Sequence, residues 1–158
     1  MSNQPKPDSK KYSVLISDIE QGRVKVPKFQ RDFVWDIEQT ANLLDSILKG
    51  YPIGTFILWE TDQRINNVKN IGNFELPEIE YGPVQYVLDG QQRITSLFAA
   101  YKGETIQKLG EKKVTDYKDI VIDLAPNEET GDGNIVTTKE NATKAITLHD
   151  VLNYNPIT

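Results

Sequence analysis

The chain has 158 residues, a length for one domain, and 38% of them are hydrophobic, enough for a modest core. It holds no cysteine and one histidine, His149, which excludes a disulfide framework, a thiolate metal centre and a histidine-rich zinc site, and fits a reducing cytoplasm. A net charge of −5 argues against a surface that binds nucleic acid everywhere by counterion release, so any DNA contact must be local.

Met1 to Lys11 is polar, carries Pro5 and Pro7, and reads as a disordered arm, leaving residues 12–158 as the domain. The arm lacks the apolar centre of a signal peptide, and no apolar run approaches the roughly 20 residues that span a bilayer, so a soluble chain without a membrane partner is expected. Val14, Leu15, Ile16 and Ile19 before Gln21-Gly22 predict a short helix ended by glycine. Val24 and Val26 then predict a brief strand stopped by Pro27. In the loop KFQRDFVW, Phe29, Phe33 and Trp35 are expected to anchor the chain in the core and leave Gln30 and Arg31 free to point at a ligand. The alternative is that Arg31 pairs with Asp32 or Asp36. Arg23, Lys25, Lys28 and Arg31 form the conspicuous basic cluster, which suits either a local DNA contact or a solvated strand edge.

Asp36 and Gln39 have capping-box spacing, and Ile37, Ala41, Leu44 and Leu48 build the apolar face of a helix that runs to Gly50. After Tyr51-Pro52, Phe56 to Trp59 reads as a strand buried on both faces. Glu60 to Gly82 reads as a long excursion with one weak strand.

Val84 to Leu88 is an apolar run broken by Asp89-Gly90, after which Ile94, Leu97, Phe98 and Tyr101 recur at helical spacing: a strand, a tight turn and a helix. Asp89 is expected as the N-cap and Gly90 as the turn residue, so Gln91, Gln92 and Arg93 occupy a first turn whose unpartnered N–H groups attract anions. Gln92 falls opposite the apolar stripe, with Gln91 and Arg93 on its flanks. Asp89 can hold a metal ion or orient a water, Arg93 can clamp a phosphate, and the glutamines can position either. A plain capped helix packed on a strand is the other reading of the same residues.

Further on, Gly103 and Gly110 bracket a turn, and Tyr117 to Leu124 reads as a strand whose Asp119 and Asp123, on one face, could join Asp89 in a metal site. Asn127 to Asn134 reads as a hairpin loop, Ile135 to Thr138 as a short strand, and Ile146 to Leu152 as a strand end entering a helix, with His149 a surface residue at its start. There is no P-loop, no G-x-S-x-G elbow and no cysteine nucleophile, so chemistry rests on carboxylates, Arg, Gln, Lys or Tyr, an inventory that suits phosphoryl transfer.

The DGQQR segment at Asp89 to Arg93, flanked by an apolar strand and I-T-S-L, occurs with VPKFQRDFVW at Val26 to Trp35 and LLDSILKGYPIGTFILW at Leu43 to Trp59. In order and spacing these blocks resemble the N-terminal domain of GmrSD-type, modification-dependent restriction and phage-defence proteins, over roughly Tyr12 to Leu124. The resemblance implies an α+β, ParB/sulfiredoxin-like fold with a small mixed sheet flanked by helices, in which DGQQR serves nucleoside triphosphate (NTP) binding and hydrolysis. It makes Asp89, Gln91, Gln92 and Arg93 the catalytic set. Gly90, Gln91, Arg93, Arg31 and Gln30 become the nucleotide contacts and Asp89 the ligand of Mg²⁺; the basic cluster itself, through Lys25, Lys28 and Arg31, supplies the candidate DNA contacts. It further implies a C-terminal effector region after Thr158, DNA as a partner of the full-length protein, and an oligomeric state left open. Alternative functions are a non-enzymatic DNA- or protein-binding sensor, and an Mg²⁺-dependent nuclease domain, which the acidic balance disfavours.

Overall fold

The computed structural model describes residues 5–66, 68–72, 74–126 and 133–155. Most of the hairpin loop expected at Asn127 to Asn134 lies outside the described residues. The chain is α+β, as expected: helix α1 (Tyr12–Glu20), strand β1 (Val24–Pro27), α2 (Ile37–Leu48), β2 (Ile57–Thr61), β3 (Val68–Lys69), β4 (Val84–Asp89), α3 (Gln91–Lys102), β5 (Thr105–Gln107), β6 (Val114–Asp116), β7 (Ile120–Asp123), β8 (Val136–Thr138), β9 (Ala145–Thr147) and α4 (Leu148–Leu152). The main sheet is mixed, in the order β2-β4-β1-β3, with β1 and β4 parallel and the other pairs antiparallel. A hairpin, β5-β6, and an antiparallel sheet, β8-β7-β9, complete the strands.

Helix α3 stands between two cores. Its Ile94 and Phe98 join Leu15, Ile16 and Ile19 of α1, Val24 and Val26 of β1, Ile71 and Val87. Its Ala99 and Ala100 join Ala41 of α2, Ile106, Tyr117, Ile120, Val136 and Leu148. A helix flanked on both sides buries nearly every residue, which is why Thr95 and Ser96 are buried too; the Thr40 hydroxyl of α2 donates to Ser96 Oγ at 3.1 Å.

Local signals explain several boundaries. The capping box of α2 forms as expected: Asp36 Oδ1 accepts from Gln39 N at 2.7 Å and Gln39 Oε1 accepts from Asp36 N at 3.0 Å. Gly103 ends α3 in the left-handed region. Lys10, within the expected arm, reaches Asp18 at 2.8 Å and Gln85 at 3.2 Å.

Three expectations are corrected. β2 is an edge strand, and Ile57 and Trp59 on it are exposed rather than buried between two layers. The segment at Tyr117 to Leu124 starts with a 3₁₀ turn (Tyr117–Asp119) and only then becomes β7, so Asp119 and Asp123 do not share a strand face. Phe29 is 73% exposed, while Phe33 packs on Tyr117 with ring centroids 6.3 Å apart. His149, half-buried, sits in the first turn of α4 with Nδ1 2.8 Å from the Tyr101 carbonyl, tying α4 to the end of α3. Among the described residues, no helix is long and apolar enough to cross a membrane.

Candidate functional site

The first turn of α3 begins where β4 ends, and Gly90 makes the change of direction at φ +90°, in a region that side chains with a Cβ rarely adopt. Gly90, not Asp89, is therefore the N-cap. Asp89 closes β4, and its exposed carboxylate turns to Arg93, Oδ2 lying 3.3 Å from Nη2. A glycine cap supplies no side-chain acceptor, and the first turn holds no acidic residue. The N–H groups of Gln91, Gln92 and Arg93 thus open uncapped on a cleft of about 240 Å³ lined by Gln30, Arg31, Trp35 and residues 89–93. This is the positive end of the helix dipole, suited to an anion.

The structure brings together all of the residues expected to bind nucleotide or act on it, and gives them different surroundings. Gln91 is 7% exposed, and its Nε2 donates to nothing among the described residues; its Oε1 has a long contact, 3.5 Å, with Gln92 Nε2. Gln92, expected to point away from the packed face, is buried beneath the loop before α2. Its Oε1 accepts from Val34 N at 2.9 Å and Trp35 N at 3.4 Å, and its Nε2 donates to the Asp32 carbonyl at 3.0 Å. Gln30 uses its amide likewise, donating to the Leu88 carbonyl at 3.0 Å and the Val87 carbonyl at 3.3 Å, at the end of β4.

Arg93 is not left free either. Nη1 donates to the Ile53 carbonyl at 2.6 Å and Nη2 to the Thr55 carbonyl at 2.9 Å, while the guanidinium lies 5.1 Å from the Phe56 ring centroid. Gly54, at φ +85°, makes room for it: a Cβ there would fall 2.6 Å from Nη1. Arg31 is the opposite case. It is exposed and, among the described residues, makes no hydrogen bond or ion pair, because Asp32 pairs with Lys69 at 2.6 Å and Asp36 caps α2.

Arg31 also lines a second cleft, with Lys28, Gln30, Asp32, Val68, Lys69 and Asn70. Lys28 and the exposed Phe29 stand at its rim or beside it, as a nucleic-acid contact would require. Lys25 does not: β1 is an interior strand buried along its length, and Lys25, 3% exposed, is spent on the exposed Glu78 at 3.1 Å. The proposed carboxylate trio is also dispersed. Asp123 is buried, and its oxygens accept from the backbone N–H groups of Ala125, Thr143 and Lys144, which hold its carboxyl below the ordinary value of 3.8. Among the described residues no group of three or more Asp, Glu or His side chains is placed to share a metal ion.

Sequence reasoning missed the Ile53-Gly54-Thr55 turn that receives Arg93, and Lys69, which ties down the Gln30–Asp32 backbone. The glycine within YPIGTF was the available signal for the first. The second had none, since Lys69 is distant in sequence.

Two comparisons bear on identity. Residues 12–155 match the family described as the GmrSD restriction endonuclease, N-terminal domain. An uncharacterized protein of Methanocaldococcus jannaschii is 39% identical over 98 residues, which cover 59% of this chain and 17% of that protein. The chain thus aligns with less than a fifth of that relative's length. With the family match spanning nearly the whole chain, over the cleft and both blocks that build it, the chain belongs to the GmrSD restriction endonuclease N-terminal domain family.

Proposed function

We propose that this domain binds a nucleoside triphosphate with its phosphates at the N-terminus of α3 and hydrolyses it, as the regulatory portion of a DNA-restricting protein. The observation that carries this reading is the Gly90 cap: the first turn of α3 is open to the cleft, and the buried Gln91 amide beside it donates to no protein group. Phosphoryl transfer asks chiefly for positioned donors and charge, which this cleft offers without a covalent nucleophile.

Mg²⁺ fits the donor set. One Asp89 oxygen pairs with Arg93 and the other has no protein partner among the described residues, which suits a cation held by one carboxylate and the phosphates of its ligand. When bound, the ion would neutralise phosphate charge. Asp89 would hold it or orient the attacking water, Gln91 Nε2 would donate to a phosphate oxygen, and Trp35 would bound the cleft on its far side.

Calorimetric titration with ATP, GTP, CTP and UTP in Mg²⁺, with phosphate release followed in parallel, tests the reading. Saturable binding of at least one nucleotide, lost in Gln91→Leu and Asp89→Ala, is expected. Absence of binding at millimolar concentration refutes it for this domain.

A second reading, that the domain also senses DNA, is favoured by Lys28, Phe29 and Arg31 around the second cleft. It predicts salt-dependent DNA binding whose slope falls when Lys28 and Arg31 are neutralised and is unchanged by Lys25→Met.

A further inference from the structure

The five glutamine and arginine side chains of the cleft divide by what their donors already do. Gln30, Gln92 and Arg93 are spent on backbone: Gln30 on the Val87 and Leu88 carbonyls, Gln92 on Asp32, Val34 and Trp35, and Arg93 on Ile53 and Thr55. Arg31 and the Nε2 of Gln91 are spent on nothing among the described residues. Gln91 is more than nine-tenths buried and lines the cleft, so the helix end has beside it a second, independent donor that lacks a partner.

We propose that Arg31, not Arg93, is the cation that meets the ligand's phosphate, and that Gln92 is the positioning residue that holds Arg31's loop over the helix end. Arg93 is structural instead, fixing the Ile53–Thr55 turn, and takes no part in binding. This rests on the reading of the cleft as a phosphate site and assigns its parts.

The physical argument is one of competition. To reach a phosphate with its full fork, Arg93 would have to release two carbonyls, at 2.6 and 2.9 Å. Arg31 gives up only water. Its loop is tied to α3 by the three Gln92 bonds, to β4 by the Gln30 amide, and to β3 by Lys69, so the backbone that carries Arg31 is fixed relative to the first turn of α3. Gln92 lies on that first turn itself. Any shift of the helix end is therefore passed directly to the loop bearing Arg31.

The test uses inorganic tripolyphosphate as the probe, titrated into the chain by calorimetry, with a thermal midpoint recorded for every variant. Arg31→Ala is expected to weaken binding about 10- to 100-fold, the worth of a charged hydrogen bond, with an unchanged midpoint because Arg31 holds nothing in place. Arg31→Lys restores part of the loss. Arg93→Lys lowers the midpoint and leaves the affinity of the folded protein within about threefold. Gln92→Met weakens binding in the parent chain and adds nothing further in the Arg31→Ala background, the non-additivity expected when one residue acts through another.

If Arg31→Ala binds normally, the proposal is overturned while the phosphate site stands. So it is if Gln92→Met and Arg31→Ala simply add. If neither tripolyphosphate nor any nucleoside triphosphate binds the parent chain, the functional reading falls and this inference with it. Arg31→Ala decides the first half even where Gln92→Met does not fold.

Discussion

Replacing Gly90 with alanine strikes the site at its base, and the cost is computed from two sources. An L-residue held at φ +90° carries about 1–2 kcal/mol of backbone strain, offset by about 0.4–1 kcal/mol from a stiffer unfolded chain. The added Cβ would also fall 2.5 Å from Cδ1 of Phe56 and 3.2 Å from Cε1. That ring is confined by the Arg93 guanidinium above it, so displacing it costs a further ~1–3 kcal/mol, the range for overpacking. The total loss is about 2–4 kcal/mol. Gly110→Ala is the matched control: its φ is +84° and a Cβ there meets nothing within 4 Å, so it reports the backbone cost alone, about 1 kcal/mol. Urea unfolding followed by circular dichroism on both variants gives the difference directly. Equal losses would refute the reasoning, for they would mean that Phe56 yields freely and that the turn, rather than its packing, sets the requirement for glycine.

Three other outcomes are expected. Asp45 is buried, and its Oδ1 accepts from Ile135 N at 2.8 Å and Val136 N at 3.0 Å while Oδ2 pairs with Lys49 at 2.6 Å; Asp45→Ala should lose about 3 kcal/mol in chemical denaturation, and Asp45→Asn, which keeps Oδ1, should lose much less. Asp123 has its carboxyl depressed by three backbone donors, so its contribution is present above the ordinary value of 3.8 and is lost as pH falls through the lower folded value; Asp123→Asn should flatten the acid limb of a stability-against-pH curve. The Tyr117 hydroxyl is buried and makes no hydrogen bond of ordinary geometry among the described residues, and burial, opposed in part by the neighbouring Thr40 hydroxyl, pushes its pKa from 10.0 up to about 12. Stability should then fall as pH rises from 10 toward 12, and Tyr117→Phe should remove that alkaline loss and leave neutral-pH stability unchanged or raised.

Much of the fold was legible because its signals are local. The Asp36–Gln39 capping box, the glycine after α1 and the switch from apolar run to helical period at Asp89-Gly90 each depend on residues within one turn of each other. What was not legible depends on partners far away in the chain. Lys25 reads as one of four clustered cations, yet it is buried on an interior strand and paired with Glu78, 53 residues on. Phe56 to Trp59 is apolar enough for a buried central strand, yet among the described residues β2 ends the sheet, and Ile57 and Trp59 stay exposed. Asp123 has the spacing of a metal ligand, but the chain returns at Thr143 and Lys144 to occupy its oxygens.

The residues expected at the site line one cleft, but the surroundings of each were not legible in the sequence, for a related reason. A glutamine amide is equally suited to a ligand and to unpaired backbone, and composition cannot tell which it meets. Here the deciding fact is that α3 is enclosed on nearly all sides, so the face of Gln92 that spacing assigns to solvent is roofed by the Asp32–Trp35 backbone. That loop is irregular, its N–H and C=O groups need partners, and Gln92 supplies both a donor and an acceptor at once. Once Gln30, Gln92 and Arg93 are committed to holding backbone, the chemistry open to a ligand narrows to the first-turn N–H groups, the Gln91 amide, one Asp89 oxygen and Arg31. Loss of binding in a Gln92 or Arg93 variant therefore does not by itself mark a ligand contact; loss in Arg31→Ala without loss of stability does.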